Sequence, residues 1–257
     1  MNYSPKYFKD NMPEWKRKKD PILSRLFYRP CAFVLASICA NLKIQANTVS
    51  YFSGIIAVVA CLCFLPNSLT WHIVAAVLIN FWLVLDCTDG NLARSYKKQP
   101  FGEFADGISS YILVGLMCTT MAVAVYFEGG YIISKGCPWI IFIGALASSA
   151  DTMMRLIYQK YKSTERELAD AGILEIEQEK RKDHEQVNSF RVRFESDFGI
   201  GGILPLLILI ATIIQALDLI VIYCFVYYGG SFVLATALYV RKAMTNTKKY
   251  QETFERL

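Results

Sequence analysis

Four carboxylates, Asp86, Asp89, Glu103 and Asp106, fall in one stretch, LVLDCTDGNLARSYKKQPFGEFADGISSYIL, that lies between two long apolar runs. On a helix, Asp86 and Asp89 share a face with Ala93 and Arg94 one further turn on. A short polar connection, Tyr96 to Phe101, turns the chain back, so that Gly102 and Asp106 descend on an opposing helix. Unpaired carboxylates at the edge of an apolar layer repel one another, and each costs on the order of several kcal/mol in desolvation. A divalent cation relieves both penalties, and hard carboxylate oxygens suit magnesium, manganese or calcium. Gly90 and Ala93 leave room for a ligand to approach the backbone, while Arg94 offers a planar fork suited to phosphate. Together these residues point to phosphate or pyrophosphate handling at a membrane surface. The competing reading is a helix-end charge cluster in which the acids pair with Arg94, Lys97 and Lys98. That suits Glu103 but not Asp86, which sits about two turns inside the apolar run, where acids are functional by default.

The elements that position these residues follow from hydropathy. The chain has 257 residues, 54% of them hydrophobic, and six runs approach or reach spanning length: Thr48–Leu65, Leu69–Ser95, Gly102–Phe127, Cys137–Tyr161, Gly199–Leu217 and Leu219–Val240. The basic residues fall in four clusters, Lys6 to Lys43, Arg94 to Lys98, Lys160 to Arg193 and Arg241 to Arg256. Threading six spans puts all four on one face, which the positive-inside rule makes cytosolic, and the connections on the other face carry only Lys135. The expectation is an all-α, multi-pass integral membrane protein with both termini and the acidic site cytosolic. Residues 1–43 form a cytosolic segment with no cleavable leader. Within it, Cys31–Leu42 would reach only about 18 Å as a helix, too short to span. It reads as an amphipathic helix lying along the interface, with a re-entrant or buried helix as the alternative. Residues 44–257 form the six-helix domain, interrupted at 162–196 by a charged, helix-rich cytosolic insertion. The cysteines sit mainly in apolar runs and read as buried thiols, and two histidines exclude a histidine-based zinc or triad site. Nothing points to nucleic acid.

In order and spacing, Asp86, Asp89, Gly90, Ala93, Arg94, Gly102 and Asp106 reproduce the signature D-x2-D-G-x2-A-R-x(7–9)-G-x3-D-x3-D, and the chain resembles the CDP-alcohol phosphotransferase family. QANTVSYFSGIIA, from Gln45, is similar to the family's P-N-x-V-T entry into the first span, with Ala46 in place of proline. SRLFYRPCAF resembles its interfacial helix, and six spans with cytosolic ends is its topology. The resemblance implies transfer of a phospho-alcohol or phosphatidyl group from a CDP-linked donor to an acceptor hydroxyl, with release of CMP. Asp86, Asp89 and Asp106 would hold one or two Mg2+ or Mn2+ ions on the donor pyrophosphate. Asp89, Gly90, Ala93, Arg94 and Gly102 would form the donor site, with Gly90 and Ala93 accommodating the cytidine. Partners would be the CDP-linked donor, a lipid or small alcohol acceptor and membrane lipid, and a homodimer is among the arrangements implied. GEFAD resembles the choline and ethanolamine branch only faintly.

The departure is Ser110, where the family has its fourth aspartate, taken as the base that deprotonates the acceptor. A serine hydroxyl does not serve as that base near neutral pH, and losing a general base costs roughly 10²–10⁴ in rate. The catalytic candidates are therefore Asp106, the Ser110 position and Glu103. Metal-assisted ionisation, or Glu195 or Asp197 ahead of the fifth span, are further routes. A helix start with Ser196 or Asp197 as N-cap is the plainer account of that last segment. Two functions stand: an active transferase with a rearranged base, or an impaired relative that binds metal and CDP-alcohol in a regulatory or assembly role. A cation channel or carrier is disfavoured, because the acids gather at one face and Asp151, deeper in, has Arg155 four residues away.

Overall fold

In the computed structural model, which describes residues 3–172 and 197–254, every regular element among the described residues is helical. Helix α1 (Pro5–Asp10) starts at Ser4, whose hydroxyl accepts the Tyr7 N–H at 3.2 Å. After α2 (Glu14–Lys19), a π-helical turn at Ser24–Tyr28 runs into α3 (Arg29–Asn41). The α3 face carrying Ala32, Phe33, Ala36 and Ala40 is buried, and α3 packs mainly on α5, leaving Val34, Ile38 and Leu42 exposed.

The bundle itself comprises α4 (Ala46–Leu62), α5 (Leu69–Ser95), α6 (Gly102–Glu128), α7 (Trp139–Asp170), α8 (Leu204–Ile213) and α9 (Leu217–Phe254). Four of them, α5, α6, α7 and α9, are long and apolar enough to cross a membrane, which marks a membrane protein. Helix α4 has 17 residues, about 25 Å of length. The expected span Gly199–Leu217 is helical only over the ten residues of α8, about 15 Å. The reason lies in the sequence Gly199-Ile200-Gly201-Gly202, which disfavours helix. It forms turns instead, with the Gly202 N–H on the Gly199 carbonyl and the Ile203 N–H on the Asp197 carbonyl. The fourth run continues past Tyr161 as helix to Asp170, as expected, and the rest of the 162–196 insertion, from 173, lies outside the described residues.

The core is centred where α4, α5 and α6 meet, around Ile79, Trp82, Leu113, Met117 and Met121, with Leu204 and Ile208 of α8 against it. Polar groups there are satisfied across helices: Trp82 Nε1 donates to Ser109 Oγ at 2.8 Å, and the Ser53 and Ser109 hydroxyls are 2.6 Å apart. At the opposite end from the acidic stretch, Asp218 accepts backbone N–H groups of Tyr131, Ile132 and Ile133 at 2.9, 2.7 and 2.9 Å, which pins the α6–α7 connection onto α9.

Candidate active site

The last turns of α5 carry Asp86, Asp89, Gly90, Ala93 and Arg94, and the first turns of α6 carry Gly102, Glu103 and Asp106. The connection is held by the start of α4: the Asn47 N–H donates to Gln99 Oε1 at 3.0 Å, its Nδ2 to the Pro100 carbonyl at 2.9 Å, and Gln45 bonds Gln99. Phe101 takes the left-handed conformation (φ 59°) just before α6 begins. This fixed corner lets two helix ends face each other. The Asp86 and Asp106 carboxyl groups consequently come within hydrogen-bonding reach of one another. Asp89, 5% exposed, accepts the Ser50 hydroxyl of α4 at 2.5 Å.

Among the described residues, none of these three carboxylates forms an ion pair with a lysine or arginine. An ordinary helix-end charge cluster would have produced such pairs. Two carboxylates in contact, a third beside them and no protein cation bound to any of them is a donor set that fits a hard divalent ion. As the side chains stand, no three acidic, histidine or cysteine groups among the described residues converge on one point, and Asp89 accepts the Ser50 hydroxyl. The Ser50 hydroxyl occupies Asp89 Oδ2, which leaves Asp89 Oδ1 as the oxygen that would reach an ion.

Two cavities meet at this cluster. One, of about 720 Å³, lies over the ends of α4, α5 and α6 and is lined by Asn47, Ser50, Asp89, Gly90, Ala93, Arg94, Gly102, Glu103 and Asp106, among others. The other, of about 710 Å³, opens between α5, α7 and α9 and is lined by Tyr111, Asp151, Arg155, Tyr228 and Lys242, with Gly199–Gly201 at one wall. Lys16, Arg29 and Asp86 line both. Non-helical backbone of the Gly199–Gly201 kind is tolerated at membrane depth where it borders a cavity.

The remaining candidates separate clearly. Glu103 is exposed on the wall of the first cavity and does not line the second. Ser110 lines neither, and its hydroxyl donates to the Asp106 carbonyl at 3.2 Å. The Asp197 carboxylate accepts the Ile22 N–H at 3.4 Å and also lines neither cavity, while Glu195 lies outside the described residues. Gly90 has a use beyond clearing space for a nucleotide: a Cβ there would come within 3.0 Å of both terminal nitrogens of Arg94, so its absence lets the guanidinium fold back over the helix. The expected Asp151–Arg155 pair is present, with Nε 3.0 Å from Oδ2.

A second charged layer is contributed by the N-terminal segment. Arg29, 6% exposed, grips the buried Asp20 with Nε at 2.8 Å and Nη2 at 3.1 Å, and its Nη1 reaches the Cys87 carbonyl at 3.3 Å and Asn91 Oδ1 at 3.2 Å. Asn91 Oδ1 also accepts Arg94 Nη2 at 3.2 Å, so Arg29 and Arg94 are held through one amide. Lys16 completes the group, 3.1 Å from Asp20. Burial by itself would raise the Asp20 carboxyl, but the hydrogen bonds and charge of Arg29, joined by Lys16, outweigh it and hold Asp20 below the usual aspartate range. In the sequence Lys16 and Arg29 are only members of the Lys6 to Lys43 basic cluster, and nothing singles out Asp20. The nine-residue spacing of Asp20 and Arg29 bridges a break between helices, so no periodicity announces the pair.

A family model described as CDP-alcohol phosphatidyltransferase matches residues 43–174. No curated protein matches the chain.

Proposed function

We start from the fact that this chain belongs to the CDP-alcohol phosphatidyltransferase family, and propose that it moves a phospho-alcohol or phosphatidyl group from a CDP-linked donor to an acceptor hydroxyl, releasing CMP, on the cytosolic side of a membrane. Membership makes it a transferase of lipid synthesis. The finer reading is supported above all by two cavities of similar size that meet at one carboxylate cluster, with Asp86 in the wall of both. A transfer between two bound molecules needs such a junction.

In this reading the first cavity takes the CDP moiety. Its cytidine lies against Gly90 and Ala93, and its pyrophosphate lies near Arg94, whose fork is kept in place by Asn91 and, through it, by Arg29. The second cavity takes the acceptor. Asp86, Asp89 and Asp106 would hold Mg2+ or Mn2+, which when bound neutralises the pyrophosphate charge and makes a nearby hydroxyl more acidic. Lys16, on the wall between the cavities, adds a fixed positive charge where the phosphate leaves one partner for the other. Six crossings satisfy the charge distribution, with α3 placed along the interface and the fifth crossing made by α8 together with the turns at residues 199–203 that precede it rather than by the helix alone.

Ser110 favours a second reading, an impaired relative that binds donor and metal in a regulatory or assembly role, because its hydroxyl is turned to the backbone and faces neither cavity. CMP release by the purified chain with Mg2+ or Mn2+, from a panel of CDP-alcohols and acceptors, separates the two. We expect release by the wild type that Asp106→Ala abolishes. Silence from the wild type with release by Ser110→Asp would establish the impaired relative instead.

A further inference from the structure

Among the described residues, two of those that line the second cavity each carry a buried polar atom without a hydrogen-bond partner. Asp151 is 1% exposed; Oδ2 is bound by Arg155, but Oδ1 has no hydrogen bond. Tyr228 is 4% exposed, and its hydroxyl likewise has no hydrogen bond. One residue comes from α7 and the other from α9, and both line the same space as Asp86. A buried carboxylate oxygen and a buried phenol left unpaired are costly, and two in one cavity make them a place where a ligand is recognised rather than an accident of packing.

The chemistry of that ligand follows from what is already paired. Arg155 matches the charge of Asp151, so a second cation on Oδ1 would leave excess positive charge in a buried site, and an anion would face a carboxylate. A neutral hydroxyl avoids both. Hydroxyls of one neutral molecule can donate to Asp151 Oδ1 and accept from the Tyr228 phenol, which satisfies both orphans without adding charge. Around it the walls are fixed, with the Arg155 guanidinium 5.5 Å from the Tyr111 ring centroid.

We propose that Asp151 and Tyr228 are specificity-determining residues that bind a non-reacting hydroxyl of the acceptor, and that the acceptor is a neutral polyol. It needs at least two hydroxyls, one for this pair and one to attack at the carboxylate cluster; a mono-hydroxylic lipid offers none to spare. The inference rests on the second cavity being the acceptor site of the transferase proposed above.

The test is equilibrium binding to the purified full chain of tritiated glycerol, ribitol and myo-inositol, with unlabelled serine and glycerol 3-phosphate as competitors and CDP binding measured in parallel. The wild type should bind at least one polyol, with weak competition by the charged compounds. Asp151→Asn and Tyr228→Phe, near-isosteric changes in different helices, should each weaken polyol binding about tenfold or more, the scale of one lost hydrogen bond to a charged or buried group. CDP binding should be unchanged in both, which a general loss of structure would not leave intact. CDP binding without polyol binding, or polyol binding indifferent to both substitutions, overturns the assignment. No CDP binding by the wild type overturns the transferase reading first, and this inference with it.

Discussion

Arg29 is one of the side chains through which the N-terminal segment touches the candidate site, and its removal has two separable consequences. Arg29→Met leaves Asp20 buried with only Lys16 as cation, and breaking a buried pair from one side costs about 3–5 kcal/mol. We expect a large fall in thermal stability in detergent, most of it regained in the double variant Asp20→Leu/Arg29→Met, where no charge is stranded. Activity should not recover with stability, because Asn91 and Arg94 lose their anchor in both; equal recovery of the two would reduce Arg29 to a packing residue. The acid limb of stability tests the same pair. The folded Asp20 carboxyl is held below the usual range, so its contribution is complete above the unfolded value near 3.9 and disappears as pH falls through the folded value. The stability difference between wild type and Asp20→Asn should therefore be largest at neutral pH and shrink below about pH 4. The carboxylates of α5 and α6 were legible because an acid inside an apolar run violates the pattern around it. Asp20 and Arg29 were not, because charges in a basic segment violate nothing until the chain folds them against α5.

At the scale of the element, the boundaries that could be read are those written in punctuation. The span Leu69–Ser95 is found residue for residue, between Ser68 and the polar turn, and Gly102 opens α6 as expected. Gly199–Leu217 was apolar enough for a full span, but hydropathy counts glycine as neutral and does not register that three glycines in four residues release the backbone from a helix. How closely helices approach was equally hidden. Gly144 of α7 lies against α6 so tightly that a Cβ would sit 2.5 Å from the Cys118 carbonyl oxygen and 2.5 Å from Ala122 Cβ. Backbone cannot turn aside as a side chain can, so Gly144→Ala should destabilise by about 1–3 kcal/mol, although alanine is the better helix former. Gly229 in α9 is the control, since a Cβ there meets nothing within 4 Å. Gly229→Ala should be neutral or stabilising by up to about 1 kcal/mol. Comparable losses in both would mean that α6 and α7 are not in the contact described.

For the whole molecule, charge and chemistry make the same demand on orientation. The carboxylate cluster lies at the end of α5 that leads into Lys97 and Lys98, and a donor bearing a pyrophosphate cannot cross the bilayer to reach it. On the proposed function the site opens to the compartment that holds cytidine nucleotides, and the positive-inside rule independently favours that side for the same helix ends. In a background without cysteines, Ile132→Cys tests the connection pinned by Asp218, where Ile132 is 64% exposed. Lys98→Cys, at an exposed position, tests the turn beside the carboxylates. In intact cells a membrane-impermeant maleimide should label position 132, and should label position 98 only after permeabilisation. The reverse pattern would invert the protein and separate the site from its donor, so that a labelling experiment without substrate would remove the CDP-dependent reading. Labelling of both positions from outside would contradict an intervening membrane crossing by α6, because its start and end would then lie on one side.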